Sequence, residues 1–297
     1  MNKKHAFSLI ELSIVILIIG ILIAGITQGS RLVSRMKLAT AQQLTQSAPT
    51  SSITNLVLWL ETTSENSFAT GTSGTYTTIS EPENNTALGS WNDSNPQSIS
   101  KINATQSTGA NQPVYIASSI NGLPVVRFTS SASSKFSAAI NLNYNVVPNV
   151  TIFAVYKRIG SAPDQCILGQ DNTNWDRFIC VQHSQNGGNA STSNGTQHVT
   201  ITNGNTLNPT IISLVLQSTV TNGSNAYING SLAATLTETH SNAGDNSLSI
   251  GVIGSSAFST YYDGDLGEII IFDRALKTEE RKSIEKYLGQ KWGIKVS

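Results

Sequence analysis

The stretch Val150-Thr151-Ile152-Phe153-Ala154-Val155-Tyr156 is one of the short apolar runs that recur between polar, glycine-bearing turns after Ile53. Branched and aromatic residues bounded by turn residues indicate strands, because they fit a pleated surface. Similar runs occupy 56–60, 124–128, 166–168, 177–181, 211–216, 248–252 and 266–272. Strands do not alternate with helical segments, which argues against a parallel nucleotide-binding sheet. The pattern predicts an all-β domain, a sandwich or barrel of antiparallel strands.

Two local signals add detail to this domain. Asn229-Gly230 predicts a hairpin, because both residues readily take the positive φ values of a type I′ turn. After the last apolar run, Thr278 is a suitable N-cap for one C-terminal helix. We expect this helix to pack on the sandwich edge near the first strand, at 56–60, through an apolar stripe. The stripe consists of Ile284, Tyr287 and Leu288, with Trp292 closing it.

The composition excludes several classes of protein. Charged residues make up 12% of the 297 residues, and 18 basic side chains balance 18 acidic ones. Binding to nucleic acid through phosphates requires a basic excess, so that class is excluded. Two cysteines and four histidines rule out a thiolate-rich metal framework or a disulfide-stapled miniprotein. The polar, weakly charged surface suits an exported β-protein.

The N-terminus carries a segment that is long and apolar enough to cross a membrane. Residues 7–26 are almost wholly apolar and follow Lys3 and Lys4. About 20 such residues rise ~30 Å as a helix, which spans a bilayer. The lysines should stay cytoplasmic, which leaves the chain after Thr27 across the membrane. A secretory signal peptide and a plain anchor are the alternatives.

Glu11 lies inside this apolar segment, where a carboxylate costs several kcal/mol unless it finds a partner. The stretch Lys3-Lys4-His5-Ala6-Phe7-Ser8-Leu9-Ile10-Glu11 resembles the leader and cleavage site of type IV prepilins and type II secretion pseudopilins. The resemblance implies that a prepilin peptidase cuts between Ala6 and Phe7 and methylates the new Phe7 amine. It also implies that the Glu11 carboxylate meets that amine, of a neighbouring subunit or its own chain, during filament assembly. The family usually has Gly where this chain has Ala6.

The partners and location implied by this resemblance are the prepilin peptidase, other pilin or pseudopilin subunits and the inner membrane. The chain crosses that membrane once before assembly, with a periplasmic head, and then enters a surface pilus or a periplasmic pseudopilus.

Beyond the membrane segment the helix is expected to continue through 31–44 and to end before Pro49. An apolar stripe along it packs on neighbouring stems or on the chain's own head. The stripe consists of Leu32, Met36 or Val33, Ala39 and Gln43. The predicted organisation is therefore a leader at 1–6, a membrane and stem helix at 7–48, and a β-sandwich at 53–297.

The head resembles bacterial laminin-G-like domains of the concanavalin A-like lectin/glucanase superfamily. The resemblance extends over 55–294 and is strongest at 55–60, 103–106, 121–128 and 263–276. It implies a jelly roll of two antiparallel sheets, in agreement with the strand pattern. Because the superfamily contains lectins, it also implies that a glycan is a candidate ligand.

Glycoside hydrolases of the same superfamily make Asp263, Asp265 and Glu268 candidates for catalysis. Retaining hydrolysis needs two carboxyl groups ~5–5.5 Å apart. The alternative is structural: Asp263-Gly264 forms a turn, and Glu268 contacts a residue such as Arg274. We favour the structural interpretation and expect no enzyme activity. A membrane-tethered glycan hydrolase that uses Asp265 and Glu268 is the alternative function.

Calcium is the metal that the laminin-G resemblance brings into question. Residues 171–176 offer oxygen ligands but lack the spacing of an EF-hand, so we interpret them as a solvated loop and expect no cofactor. His183, His198 and His240 have no metal-ligand spacing.

Other candidates remain open between two roles. Cys166 and Cys180 form a disulfide in an oxidising compartment, or stay buried thiols. The polar stretch 184–208 is a binding loop or a flexible excursion. Four aromatic residues stack on sugar rings or belong to the core: Trp91, Trp175, Tyr261 and Tyr262. The sequence as a whole favours a minor pilin or pseudopilin that displays a lectin-like head for adhesion or carbohydrate contact.

Overall fold

The computed structural model describes residues 9–170, 175–239, 244–254 and 260–297. It begins with helix α1, Leu9–Gln46, of 38 residues. An 18-residue window of this helix has a mean hydropathy of 2.4, so the helix is apolar and long enough to cross a membrane. A 3₁₀ turn, Pro49–Ser51, follows it, which agrees with the expected break at Pro49.

The head contains short strands and a C-terminal helix. In chain order these are β1 Leu56–Leu60, β2 Phe68–Thr70, β3 Thr77–Ile79, β4 Ser90–Trp91, β5 Ala104–Thr105, β6 Val114–Ile116, β7 Val125–Phe128, β8 Phe136–Ala138, β9 Asn149–Arg158, β10 Gln165–Gly169, β11 Phe178–His183, β12 Asn189–Ser193, β13 His198–Ile201, β14 Thr210–Gln217, β15 Ser224–Ile228, β16 Ser231–Leu236, β17 Leu248–Ile250, β18 Val252–Ile253, β19 Thr260–Tyr261, β20 Gly264–Phe272 and helix α2 Thr278–Trp292.

These strands form an antiparallel sandwich. Among the described residues, sheet A has eight strands in the order β16-β15-β14-β9-β20-β7-β6, with β1 also paired to β20. Sheet B has ten described strands in the order β13-β12-β11-β10-β17-β8-β5-β4-β2-β3. The β15–β16 hairpin turns at Asn229 and Gly230, whose φ values of 50° and 84° are those expected of a type I′ turn. The predicted all-β sandwich is confirmed.

The main core lies between the two sheets, and β20 shows how the alternation of side chains builds it. Leu266, Ile269 and Ile271 point into this core. Glu268 and Phe272 point to the opposite face of sheet A, where Phe272 joins a second apolar cluster. The inward positions change from even-numbered to odd-numbered residues after Leu266, because the pairing with β9 shifts in register between Leu266 and Glu268. An extra residue in a strand moves the following side chains to the other face.

Helix α2 covers the outer face of sheet A. Its residues Ile284, Tyr287, Leu288 and Trp292 are buried there. The helix lies near the first strand, as predicted, because the Trp59 and Tyr287 ring centroids are 6.5 Å apart. The prediction that it packs on the edge of the sandwich is wrong, because its contacts reach β14 in the interior of the sheet as well as β20. A Cβ atom on Gly267 would lie 2.7 Å from the Trp292 ring, so a glycine is needed for this close approach.

The predicted N-cap of α2 is also displaced by one residue. Lys277 is the N-cap, with extended backbone geometry, and Thr278 is the first helical residue. The Glu280 side chain accepts a hydrogen bond from the Lys277 backbone amide at 2.8 Å. A free backbone amide at the start of the helix is therefore satisfied by Glu280, and not by the side chain of Thr278 as the predicted cap required.

The stem reaches the head through its last turns. Ala41, Thr45 and Ala48 are buried against the head cluster. The predicted stripe does not pack on the chain's own head: its members Leu32, Val33, Met36, Ala39 and Gln43 are all exposed. Leu44, which is partly buried, packs against the same cluster between these small residues. The alternative, that the stripe contacts neighbouring stems, stays a prediction.

Candidate functional site

Glu268 lies on β20, with its side chain towards α2, and is almost completely buried, with 1% of its surface exposed. Its carboxylate accepts hydrogen bonds from Trp59 Nε1 at 2.7 Å, Tyr287 OH at 2.8 Å and Trp292 Nε1 at 3.0 Å. The Lys291 ammonium lies 2.9 Å away. Each oxygen of this buried anion therefore has a donor, as a buried charge requires.

Glu61 is the second carboxylate of this site, and the sequence analysis did not find it. It directly follows β1 and is fully buried. It accepts hydrogen bonds from the Thr63 amide and hydroxyl, the Ser64 amide and the Ser67 hydroxyl, at 2.6–2.9 Å. Lys291 Nζ lies 3.2 Å from its carboxylate. The signal for it is a glutamate at a strand end followed by hydroxyl residues, which supply donors within one turn.

The charges in this buried cluster stabilise each other. Burial by itself raises the pKa of Glu61, but the Lys291 ammonium and the hydrogen bonds from Thr63, Ser64 and Ser67 outweigh it and lower the pKa to about 2. Burial, with the neighbouring Glu268 carboxylate, raises the pKa of the Tyr287 hydroxyl well above its usual value. Lys291 on α2 therefore links two carboxylates, that of Glu61 after β1 and that of Glu268 on β20.

The same cluster joins the stem to the head. Tyr287 OH lies 3.5 Å from Thr45 Oγ1 on α1, and Thr45 Oγ1 lies 3.3 Å from Thr63 Oγ1. Gln42 Nε2 donates to the Thr63 carbonyl oxygen at 2.9 Å. The polar contacts of Glu61 and Glu268 therefore extend directly to the last turns of the stem.

Asp265 has a different set of partners on the same strand. Its carboxylate accepts two hydrogen bonds from Arg127, at 2.7 and 2.9 Å, and one from the Ser119 hydroxyl at 2.5 Å. The expected contact between Glu268 and Arg274 is wrong, because Arg274 pairs with Glu280 at 2.7 Å. Asp263 lies at a turn, where its carbonyl oxygen accepts from the Ile159 and Gly160 amides. Asp265 and Glu268 are thus both buried, and each is paired with a cation.

An open groove of about 740 Å³ lies on the outer face of sheet B. Thr105, Ser137 and Ser249 stand side by side on its floor, because Ser137 is the cross-strand neighbour of both Thr105 and Ser249. Tyr76 and Tyr261 also line it. The groove therefore combines hydroxyl groups and aromatic rings on one accessible surface.

A family model described as the concanavalin A-like lectin/glucanases superfamily matches residues 128–280, which is half of the chain. The chain belongs to this superfamily. A second model, the prokaryotic N-terminal methylation motif, matches residues 1–27 and confirms the prepilin-type N-terminus. A search of curated proteins finds no match.

The solved structures that match this chain by structural comparison include carbohydrate-active and receptor-binding proteins. Domain 4 of AbnA, an arabinanase of Geobacillus stearothermophilus in complex with arabinotriose, has a TM-score of 0.40 and 15% identity, covering 59% of this chain and 80% of that one. A botulinum neurotoxin C/D mosaic receptor-binding domain has a TM-score of 0.45 and 13% identity, covering 80% and 54%. Trypanosoma rangeli sialidase has a TM-score of 0.38 and 10% identity, and the chain covers 34% of its length.

The four aromatic candidates of this concanavalin A-like head have separate places. Trp91 and Tyr262 belong to the core, where Trp91 Nε1 donates to the Glu61 carbonyl oxygen at 2.8 Å. Tyr261 lines the groove, whereas Trp175 contacts the His198 ring, with ring centroids 4.8 Å apart. Tyr76, which the sequence analysis missed, joins Tyr261 at the groove. Burial of an aromatic ring depends on which face of its strand meets the core. The polar residues near it in the sequence therefore do not decide whether the ring is buried or exposed.

Cys166 and Cys180 form a disulfide between the neighbouring strands β10 and β11. Nearby, the His183 and His198 rings lie 4.2 Å apart. Burial, and then the charge of His183, lower the pKa of His198 to about 4. The stretch 184–208 contains strands β12 and β13 at the edge of sheet B, so its interpretation as a loop or a flexible excursion is wrong.

Some predicted residues lie outside this description. Ala6, Phe7, His240 and the loop 171–174 lie outside the described residues, and of Glu11 only the backbone, within α1, is described. Asp176, at the end of the candidate calcium loop, is buried. Within the described ranges, no group of three or more His, Cys, Asp or Glu side chains is arranged to hold a metal ion.

Proposed function

We propose that this chain is a minor pilin-like or pseudopilin-like filament subunit that displays a lectin-like head for adhesion or carbohydrate contact. The observation that carries the proposal is the methylation motif at 1–27, which leads into a 38-residue helix joined to a concanavalin A-like head. The head is not enzymatic in this proposal. The prepilin peptidase, other pilin subunits and the inner membrane are its proposed partners.

The exposure of α1 supports a filament role. Large apolar side chains from Leu9 to Met36 are about half exposed or more, whereas Lys37 Nζ donates to the Asn121 carbonyl oxygen of the head at 3.2 Å and burial against the head begins near Ala41. Exposed apolar surface of this length is stable in a bilayer or against other apolar helices. The bilayer provides this environment before assembly, with the head in the periplasm, and the stems of neighbouring subunits provide it afterwards.

Glu11 supplies the axial register in this proposal. After cleavage between Ala6 and Phe7, its carboxylate is the partner of a Phe7 amine in an apolar environment. Opposite charges attract strongly where water is excluded. Each added subunit therefore gains this attraction only at the correct height along the filament.

Mass spectrometry of the mature chain tests the processing step. We expect a chain that begins with N-methylated Phe7. A mature chain that still begins at Met1 or Asn2 would contradict the proposal, whatever its head binds.

A comparison of two glutamate variants tests assembly. Glu11→Ala chains should be processed but lost from sheared filaments, because the freed amine has no partner. Glu279→Ala is the matched control, since Glu279 is exposed on α2, and it should enter filaments normally. Equal incorporation of both variants would remove the filament role.

A polysaccharide-degradation assay tests the hydrolase alternative. Asp265 and Glu268 are buried and paired, which leaves neither carboxyl group facing a substrate. We expect no degradation by the unaltered chain. Degradation that Glu268→Gln abolishes would favour the hydrolase instead.

A further inference from the structure

We propose that the side chains of Lys291 and Glu268 become joined by an amide bond, so that this buried pair is a site of self-modification. The bond forms within the folded head, and one water molecule leaves. No second protein and no cofactor takes part. The proposal does not rest on the filament function or on binding of a ligand by the head.

The two reacting groups are in contact in the structure, as an unreacted pair. Lys291 Nζ lies 2.9 Å from Glu268 Oε2 and 3.2 Å from Glu61 Oε2. Lys291 is near the end of α2 and Glu268 is in the middle of β20, so regular elements fix both backbones. Groups held together in this way react as if at a concentration of roughly 10⁵–10⁸ M when they are well oriented. The fold therefore presents the amine and the carboxyl group to each other as an oriented pair.

The surroundings of this pair exclude water. The side chains of Lys291, Glu268 and Glu61 have no exposed surface, and the aromatic residues that donate to Glu268 are buried as well. In bulk water, hydration favours the separate ammonium and carboxylate over the amide. In a buried place that hydration is lost, and the attraction between the two charges repays the loss only in part. Because an amide is uncharged, bond formation removes both buried charges and releases water to the solvent.

The hydrogen bonds of Glu268 are divided between its two oxygens in a way that suits attack by an amine. Oε1 accepts from Trp59 Nε1 at 2.7 Å and from Tyr287 OH at 2.8 Å. Oε2 accepts from Trp292 Nε1 at 3.0 Å and is the oxygen nearest to Lys291 Nζ. Two donors at Oε1 stabilise the negative charge that develops there when the amine attacks the carboxyl carbon. Oε2, which lies beside the ammonium, is the oxygen that leaves.

Glu61 is the proton acceptor of this site. Its two oxygens accept four hydrogen bonds from amides and hydroxyls of the turn after β1. Although burial raises the pKa of Glu61, Lys291 and these hydrogen bonds lower it to about 2. A carboxylate held ionised in this way resists attack by an amine, so Glu268 is the carboxyl group that reacts. Glu61 takes a proton from Lys291 Nζ, 3.2 Å away, and its low pKa makes it pass that proton on.

The reaction balances within these three side chains. The Lys291 ammonium gives one proton to Glu268 Oε2, which leaves a neutral amine and a neutral carboxyl group. The nitrogen lone pair then forms a bond to Glu268 Cδ, and the displaced electron pair goes to Oε1. A second proton passes from the nitrogen through Glu61 to Oε2, the bond between Cδ and Oε2 breaks, and water departs as Oε1 becomes the carbonyl oxygen again. Glu61 is ionised at the end as at the start, so the net charge of the cluster does not change.

The bond also strengthens the attachment of the stem. Helix α2 contacts the last turns of α1 through Tyr287 and Thr45. The bond attaches the same helix to β20, which lies in the interior of sheet A. Pulling α2 away from the sheet then requires a covalent bond to break, and not only the separation of packed side chains.

Mass spectrometry of the detergent-solubilised full chain, with its disulfide reduced, tests the proposal. We expect an intact mass that is lower by one water molecule than the mass of an unlinked chain with the same N-terminus. Digestion with trypsin and chymotrypsin should release a branched peptide that joins Lys291 to Glu268, without cleavage after Lys291. A chain of full mass that trypsin cleaves after Lys291 would overturn the proposal. A branched peptide that joins Lys291 to Glu61 would overturn the choice of Glu268.

Three variants assign the roles of the residues. Lys291→Arg keeps the positive charge but cannot form the amide, so it should have the full mass. Glu61→Gln keeps the shape of the side chain without the proton acceptor, so it should also have the full mass. Lys286→Arg, at an exposed position of the same helix, is the matched control and should lose one water molecule like the unaltered chain.

Thermal unfolding of each variant shows whether a missing bond is a missing fold. A folded Glu61→Gln chain that still loses water would overturn the role of Glu61. Loss of water from the Lys291→Arg chain would show that the water comes from another pair, and would overturn the proposal. The mass of the unaltered chain decides the proposal even where a variant does not fold.

Discussion

The outer face of sheet A is covered by helices, whereas the outer face of sheet B carries an open groove. On sheet A the outward residues include Phe153, Val155, Ile270 and Phe272, which are buried beneath α2 and its surroundings. On the groove floor of sheet B the outward residues are small and carry hydroxyl groups. The inward residues of both sheets are apolar. The difference shows that the outward residues of a sandwich decide where a helix can pack on it and where its surface stays accessible.

The helix-covered face also contains buried charges. Lys291, Glu61 and Glu268 lie together there with essentially no exposure. Buried charges are tolerated only where their partners are complete, and removing one partner is costly. Stability should therefore depend strongly on the outward residues of sheet A and weakly on those of the sheet B groove.

The largest expected effect is that of Lys291→Met. The substitution leaves Glu61 and Glu268 buried without their cation, which should reduce the free energy of unfolding by about 3–5 kcal/mol. Urea denaturation of the detergent-solubilised chain measures this change. Lys286→Met is the control, because Lys286 is exposed on the same helix. A loss of unfolding free energy below about 1 kcal/mol would show that the buried charges do not make the outer face of sheet A more important for stability than the groove of sheet B.

The disulfide of sheet B should have the next largest effect. Cys166 and Cys180 are separated by 14 residues. Closing a loop of that length stabilises a fold by ~3 kcal/mol in the chain-entropy model. The double variant Cys166→Ser/Cys180→Ser should lower the unfolding free energy by about that amount. A variant as stable as the unaltered chain would show that the bond does not stabilise the fold.

Acid should weaken the sheet B side through His198, whose pKa of about 4 lies below the ordinary value of 6.5. The unfolded chain takes up a proton near pH 6.5, whereas the folded chain does so only near pH 4. The contribution of His198 to stability is therefore complete above pH 6.5 and falls as the pH drops towards 4. The effect is smaller than that of the disulfide because His198 is only half buried.

Thermal unfolding between pH 7 and pH 4.5 measures this contribution. His198→Phe removes the titrating group, so the variant should lose less stability than the unaltered chain over that range. His183 and Asp164 face the same ring and remain in both proteins. Parallel pH profiles for the two proteins would contradict the assignment.

The smallest expected effect on stability is that of Ser137→Tyr in the groove. Ser137 is exposed, and substitutions at such positions usually change the unfolding free energy by no more than about 0.5 kcal/mol. Thermal unfolding of the variant measures the change. A loss of several kcal/mol would mean that the groove floor supports the fold, as the outer face of sheet A does.

Much of the fold was predictable because its signals are local. The strand pattern, the Asn229-Gly230 turn and the apolar N-terminal helix depend on neighbouring residues, and each is confirmed. The role of Glu268 was not predictable in detail, because its partners Trp59 and Lys291 are far away in the chain. Glu61 was missed for the same reason, since its cation comes from α2.

The sequence by itself determined the type of each segment: an apolar N-terminal helix, long enough to cross a membrane and carrying a prepilin-type motif, followed by antiparallel strands of alternating side chains. The tertiary structure alone decided that α2 covers the outer face of sheet A and that part of the outer face of sheet B forms an open groove. It buried Trp91 and Tyr262 in the core and placed Tyr76 and Tyr261 along one groove. The physical reason is that periodicity fixes the side of a strand on which a residue lies. What covers that side depends on contacts between segments far apart in the chain.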